Sequence, residues 1–290
     1  MDEVQLQELQ RWRNQDWRED EEDNSCYKSY SKLIAIGGCG RSGTTLLRVM
    51  LDSHSRIASG PESELFLPIP IRLDDLAHKF DLPLNTLTRL YNSSASRAEF
   101  VEGFKDCYLA SSGRSIWVDK TARNVHRFAY ILKHFPNAKI IHVLRDGRDV
   151  ISSLRTHRRR RLVDGVIRPT GYVMPLQNCI ERWITSIEDG LKHRHEPNYL
   201  EVKYEDLVLD TDKALRAICA FLQVSFEENM LIYHMFGGPS RDFRKFPQNI
   251  EATKPIFASS IGRWRRDLSE EEIAAVTLRI QPYLNLLQYA

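Results

Sequence analysis

Nowhere in the 290 residues does an apolar run approach the roughly 20 residues that a membrane helix needs. The first 24 residues are charged and polar, so neither a secretory signal nor an anchor is expected there, and a cytoplasmic location is expected. Cysteine is scarce. Cys26, Cys39, Cys107, Cys179 and Cys219 are odd in number and scattered, with neither metal-ligand spacing nor a disulfide framework. That usage suits a reducing compartment. Carboxylate–histidine clusters are missing as well, so no metal is expected. Charge of one sign is missing too: 41 Lys and Arg against 39 Asp and Glu leave a formal +2. This argues against a protein that grips nucleic acid by bulk charge, and no nucleic-acid partner is expected. There is no internal repeat and no low-complexity tract. Hydrophobic residues make up 42% and aromatics 10%, enough to bury a real core. The expectation is a globular enzyme or ligand binder.

The balanced charge is unevenly spread. Residues 1–25 hold nine acids and three arginines. Residues 145–161 hold seven arginines (Arg145, Arg148, Arg155, Arg158, Arg159, Arg160 and Arg161) and two aspartates. The acidic stretch reads as a solvated arm over 1–30, with an arm that covers a basic surface as the sharper alternative. Beyond Arg155 the basic run reads either as a solvated loop or as a rim for an anionic substrate.

Strand and helix patterns alternate. Leu33-Ile34-Ala35-Ile36 is a short apolar run ending in Gly37-Gly38, so it reads as a buried strand feeding a tight turn. Helical spacing follows from Thr44 to Leu51, and Ile57-Ala58 reads as a second strand. Residues 62–112 read as mostly helical, with breaks at Pro68, Pro70, Pro83 and near Asn92. Strands are expected at 116–118, 139–144 and 199–202. Helices are expected over 124–134, from 147 to 154, over 176–195 and over 211–222. Residues 237–262 read as a long loop, and Ser269 with Glu272 marks the start of a final helix by a capping-box pattern. Alternating elements imply an α/β fold, a parallel sheet with helices on both faces. One domain is expected over 31–290.

The turn Gly38-Cys39-Gly40-Arg41-Ser42-Gly43-Thr44-Thr45 sits between strand and helix. Such a turn places an anion against free backbone N–H groups at a helix N-terminus. Three chemistries can use it. Gly38, Gly40 and Gly43 match the dinucleotide spacing G-x-G-x-x-G. Gly38 and Gly43 also match the phosphate loop of nucleotide kinases, but Thr44 stands where that loop carries its lysine. In a phosphosulfate loop, Arg41 supplies the cation, with Ser42, Thr44 and Thr45 as hydroxyl donors. A plain connecting turn is the bland alternative.

A second anion site is written in Arg145-Asp146-Gly147-Arg148-Asp149-Val150-Ile151-Ser152-Ser153. Arg145 falls at the carboxyl end of a strand, where open α/β sheets bind ligands. Ser153 lies two helical turns further on. An ordinary Arg145–Asp146 surface pair is the alternative. A nucleotide with anionic groups at both ends of its ribose explains both sites. A dinucleotide oxidoreductase or a kinase explains only one.

With these residues in place the chain resembles the sulfotransferase family over about 33–268. The donor of that family is 3′-phosphoadenosine 5′-phosphosulfate, and no metal is implied. Residues 37–45 resemble its 5′-phosphosulfate loop, which implies donor contacts from Gly40, Arg41, Ser42, Gly43, Thr44 and Thr45. Residues 143–153 resemble its 3′-phosphate motif, which implies Arg145 and Ser153. Tyr204 resembles an adenine-side tyrosine. Ile261-Gly262-Arg263-Trp264-Arg265 resembles the late loop that closes over the donor, which implies Arg263 and Trp264. Within the family the pattern is nearest to tyrosylprotein sulfotransferases and related bacterial enzymes. Their catalytic Glu matches Glu62 in Gly60-Pro61-Glu62-Ser63-Glu64, and their catalytic Lys matches Lys120. Gly262 replaces their late serine, which leaves Ser259 or Ser260 to supply a hydroxyl. The resemblance implies sulfuryl transfer to an acceptor hydroxyl on a small molecule, a glycan or a tyrosine. Glu62 would take the proton, with Arg41 and Lys120 steadying developing charge. A homodimer is compatible with the sequence. Bland alternatives are a helix cap for Glu62, an ion pair with Asp119 or another acid for Lys120, and packing for Trp264.

Overall fold

The apolar run behind the glycine turn forms β1 (Leu33–Gly37), every residue of it buried, at the centre of a parallel sheet. The structure is a computed structural model that describes residues 25–156, 160–163, 166–169, 172–236 and 254–289. The turn after β1 opens α1 (Thr44–Leu51), which carries the chain to β2 (Ile57–Ser59). Three helices follow: α2 (Leu73–Phe80), α3 (Leu84–Ser93) and α4 (Arg97–Ser112). The helix expected from residue 62 does not begin until 73. Pro68 and Pro70 lack the N–H a helix needs, and Glu64 takes a left-handed φ of 59°. Ser96 caps α4, its hydroxyl accepting from the Glu99 N–H at 3.1 Å.

The chain then forms β3 (Ile116–Lys120), a 3₁₀ turn (Ala122–Arg127), α5 (Phe128–His134), β4 (Lys139–Leu144) and α6 (Gly147–Thr156). The basic stretch read as a loop carries a hairpin of its own. The backbones of β5 (Arg160–Val163) and β6 (Val166–Pro169) pair antiparallel, with Val163 opposite Val166. After α7 (Leu176–Leu191) come β7 (Tyr199–Lys203), α8 (Tyr204–Leu209), α9 (Thr211–Leu222), a short α10 (Trp264–Asp267) and α11 (Glu270–Leu286). Ser269 and Glu272 close a capping box at the start of α11, as the spacing predicts. Most of the expected late loop, 237–253, lies outside the described residues, as do residues 1–24 of the acidic arm. Residues 27–29 of that arm lie against α5: the Ser29 N–H donates to the His134 carbonyl at 2.8 Å. Among the described residues no helix is long and apolar enough to cross a membrane.

The sheet order is β2-β3-β1-β4-β7, all parallel. Side chains alternate between two cores, as a strand period of two requires. Leu33, Ala35, Trp117 and Ile140 pack with α2 to α5 on one face. Ile34, Ile36, Val118 and Ile141 pack with α1 and α9 on the other. A third core joins α6, α7 and α11 around Trp183 and Ile280. The α/β sheet with both faces covered is the architecture the alternation predicts. Its functional consequence is that all five strand ends open on one edge.

Candidate active site

Each strand of the sheet delivers one predicted residue at or just past its carboxyl end. β2 leads to Glu62, β3 ends on Lys120, β1 leads to the glycine turn with Arg41, β4 leads to Arg145, and β7 leads to Tyr204. The sheet order therefore sets the order across the site. Glu62 and Lys120 lie on one side of the turn, Arg145 and Tyr204 on the other.

The turn is shaped by its left-handed residues. Gly43 precedes α1 with a φ of 96°, and a Cβ there would stand 2.4 Å from the Tyr204 ring. Only glycine meets both conditions. Arg41 has a φ of 79° without being glycine, which costs about 1–2 kcal/mol. Both residues of the second motif hold it there. Arg145 Nη1 donates to the Arg41 carbonyl at 3.1 Å, and Arg41 Nε donates to Ser153 Oγ at 3.2 Å. The Ser42 N–H closes the turn on the Cys39 carbonyl at 3.0 Å. The Ser42 side chain is buried and lines neither cavity described below. Among the described residues no side chain caps α1, so its first-turn N–H groups remain for an anion.

On the β4–β7 side lies a cavity of about 290 Å³, walled by Arg41, Gly43, Thr44, Thr45, Arg145, Ser153, Tyr204 and Arg263. The Arg145 guanidinium stacks on the Tyr204 ring at 4.3 Å. Its Nη2 donates to the Ser260 carbonyl, while its Nε is buried with no hydrogen-bond partner among the described residues. An orphaned guanidinium N–H with two further arginines in the same cavity fits an anionic ligand. Asp146 is not the partner of Arg145; it pairs with Arg148 at 2.7 Å. Arg263 reaches Ser153 at 3.5 Å and is held by Asp267 at 2.7 Å. Behind this wall Asp149 is fully buried. Its carboxylate accepts the N–H groups of Gly262 at 2.8 Å and Trp264 at 3.2 Å, and lies 3.8 Å from Arg145 Nη2. Burial pushes its pKa up against the pull of those donors. The guanidinium groups of Arg148 and Arg265 stack on Trp264, which is not among the residues lining the cavity.

On the β2–β3 side a second cavity of about 330 Å³ shares the turn as its wall. Gly40, Arg41, Thr44 and Thr45 face Glu62, Lys79, Arg123 and Arg182 across it. Lys120 Nζ donates to Glu62 Oε1 at 2.8 Å and to Thr45 Oγ1 at 3.2 Å. Lys120 is 2% exposed in its side chain and Glu62 43%. Burial raises the Glu62 pKa, but the Lys120 charge and hydrogen bond, the Ala122 N–H and Lys79 outweigh it, and the net direction is down. Burial draws the Lys120 pKa down, with Glu62 pulling it back.

No helix begins at Glu62, so it caps nothing. Its position is built from below. Arg48 on α1 donates to the carbonyls of Ser59 and Gly60 at 3.2 and 3.1 Å. Ser63 donates to buried Asp119 at 2.5 Å, and Asn124 donates to the other oxygen of Asp119 at 2.7 Å. Asp119 thus supports the Glu62 turn, and the acid hydrogen-bonded to Lys120 is Glu62. Reading the sequence missed Asp119, Asp149 and Arg182. Asp149 stands four residues after Arg145, inside the first turn of α6 while Arg145 precedes the helix. Arg182 carries no such signal. Arg155, read as the start of a rim, bridges to Glu272 on α11 at 3.3 Å instead. The side chains of 158–161 lie outside the described residues.

A family model described as the sulfotransferase family matches residues 34–228. The chain is 26% identical over 276 residues to protein-tyrosine sulfotransferase A of Caenorhabditis elegans, which covers 91% of this chain and 68% of that protein. Several curated relatives are longer, and the chain spans 56% of the protein-tyrosine sulfotransferase of Drosophila melanogaster. Among solved structures it is similar to the sulfotransferase domain of the Synechococcus PCC 7002 olefin synthase. The identity is 26% and the TM-score 0.64, with 95% of this chain and 99% of that one covered. A mouse sulfotransferase, SULT7A1 complexed with PAP, shares the fold at 12% identity and a TM-score of 0.51, over 94% and 95% of the two chains.

Proposed function

The chain belongs to the sulfotransferase family, and from that premise we propose how its two cavities divide the work of moving a sulfuryl group to an acceptor hydroxyl. The β4–β7 cavity takes 3′-phosphoadenosine 5′-phosphosulfate, and the β2–β3 cavity takes the acceptor. The observation that carries this reading is the shared wall: Arg41, Thr44 and Thr45 face both cavities, so a group held on that wall is within reach from either side.

Arg145 and Ser153 would hold the 3′-phosphate, with the orphaned Arg145 Nε as one of its donors. Tyr204, stacked on Arg145, would bound the adenine side, and Arg263 and Ser260 close the cavity from the late loop. The first turn of α1, with Gly43 and the Thr44 and Thr45 hydroxyls, would hold the 5′ end. Glu62, ionised at neutral pH, accepts the proton of the acceptor hydroxyl. Lys120 then passes from its contact with Glu62 to the negative charge that develops beside Thr45. Because charge in such a transfer spreads over equatorial oxygens, positioning and fixed cations carry most of the catalysis. The same proposal treats 31–290 as one catalytic domain. A cytoplasmic setting belongs to it too, supported by five cysteines that form no disulfide among the described residues.

The donor assignment is tested by thermal unfolding: adenosine 3′,5′-bisphosphate should raise the melting temperature and NAD should not. The Glu62→Gln variant should keep that protection and lose about 10²–10⁴ in turnover. Near-normal turnover would remove Glu62 from the mechanism. The acceptor panel joins tyrosine peptides with phenols, alkyl alcohols and glycans.

A further inference from the structure

The acceptor cavity holds five charged side chains besides Arg41, and four of them have partners. Glu62 meets Lys120 at 2.8 Å, Glu64 meets Arg123 at 3.0 Å, and Lys79 meets Asp75 at 2.7 Å. Arg41 is turned toward Ser153 on the donor side. The fifth is Arg182, half-buried at the middle of α7. Its guanidinium faces the glycine turn, where a Cβ on Gly40 would stand 3.2 Å from its Nη2. Nothing among the described residues accepts a hydrogen bond from that guanidinium. Glu181, beside it in sequence, takes its hydrogen bond from Gln177 at 2.8 Å.

This cation is also placed by its surroundings. Cys179, Trp183 and Ser186 on the same helix are buried, and the Ser186 hydroxyl donates to the Arg182 carbonyl at 2.8 Å. The Cys39 thiol contacts that carbonyl from the glycine turn. The backbone of Arg182 is therefore tied to the wall that both cavities share. With each carboxylate of the cavity already matched by a cation, the charge left over is positive, and it lines the same cavity as Glu62.

We propose that Arg182 is the acceptor-recognition residue of this enzyme, and that it binds a carboxylate-like anionic group carried by the acceptor beside its reacting hydroxyl. The proposal rests on the sulfotransferase reading and deepens it: the acceptor is an anionic hydroxyl compound. Planar guanidinium groups take such anions through two parallel hydrogen bonds.

The test uses the full chain saturated with adenosine 3′,5′-bisphosphate and titrated calorimetrically with two matched probes, 4-hydroxyphenylacetate and its amide. The acid should bind at least tenfold tighter than the amide. Arg182→Gln should erase that preference and leave the affinity for the bisphosphate within twofold. Arg182→Lys should keep part of the preference, and it serves as the second variant should the glutamine protein not fold. Equal binding of acid and amide by the unaltered enzyme would overturn the proposal. So would a preference that survives Arg182→Gln, or a bisphosphate affinity that falls with it, which would assign Arg182 to the donor. Failure of the unaltered enzyme to bind the bisphosphate at all would instead remove the sulfotransferase reading, and this proposal with it.

Discussion

At the scale of single residues the site is a set of charges whose partners define their work. The Glu62–Lys120 pair is the clearest case. Glu62 titrates below its ordinary range, so a base function is present at neutral pH and is lost as pH falls through that lowered value. Lys120 titrates below its own ordinary range, so a cation function is lost as pH rises through that value. With donor saturating, the rate should trace a bell whose two limbs belong to the pair. Lys120→Arg should move the alkaline limb beyond the measured range, because guanidinium keeps its proton; an unmoved limb would assign it elsewhere. Arg145 makes a second prediction. Arg145→Lys keeps the charge but loses the Nε donor and the flat stack on Tyr204. Affinity for adenosine 3′,5′-bisphosphate should drop by about 10- to 100-fold, the range of one or two charge-assisted hydrogen bonds. Affinity for adenosine 5′-monophosphate, which has no 3′-phosphate, should change little. A comparable loss for both ligands would argue against a 3′-phosphate role.

At the scale of elements, α6 and the late loop act as one unit through Asp149. A single buried carboxylate holds two loop N–H groups and lies near Arg145, so the loop and Arg145 share a support. Asp149→Ala would leave those N–H groups without their acceptor, at about 1–3 kcal/mol each. The melting temperature should fall by several degrees, and protection by adenosine 3′,5′-bisphosphate should weaken at least tenfold. Unchanged protection would show that the loop closes without this support. The elements also show what could be read in advance. β1 and β4 were legible because their runs of β-branched and apolar residues, broken only by His142 in β4, end in glycine or arginine. The stretch 62–72 was not, because its apolar residues Leu65, Phe66 and Leu67 pack in turns that two prolines impose, and short apolar runs carry no period. The β5–β6 hairpin was hidden because four consecutive arginines read as a solvated tract.

Over the whole molecule, the residues of the candidate site were mostly legible while their arrangement was not. Arg41 and Arg145 stand out by type and neighbours in the chain, while Glu62, Lys120 and Tyr204 are implied by the resemblance to the sulfotransferase family. That the first two lie on one side of Arg41 and the last two on the other follows from the sheet order, which depends on long-range pairing. Arg182 shows the limit: in sequence it is one more polar position on an amphipathic helix, and only the folded chain turns it toward Gly40.

The wall of Arg41, Thr44 and Thr45 between the two cavities has a kinetic consequence. On the proposed assignment neither substrate has to vacate its room for the other, and the Thr44 and Thr45 hydroxyls of the wall serve as donors to the group rather than as its carrier. Initial-rate lines at several fixed donor concentrations should therefore intersect rather than run parallel. A sulfuryl group made chiral with oxygen isotopes should arrive inverted at its new oxygen. Parallel lines, or retained configuration, would mean that the protein itself is sulfated along the way.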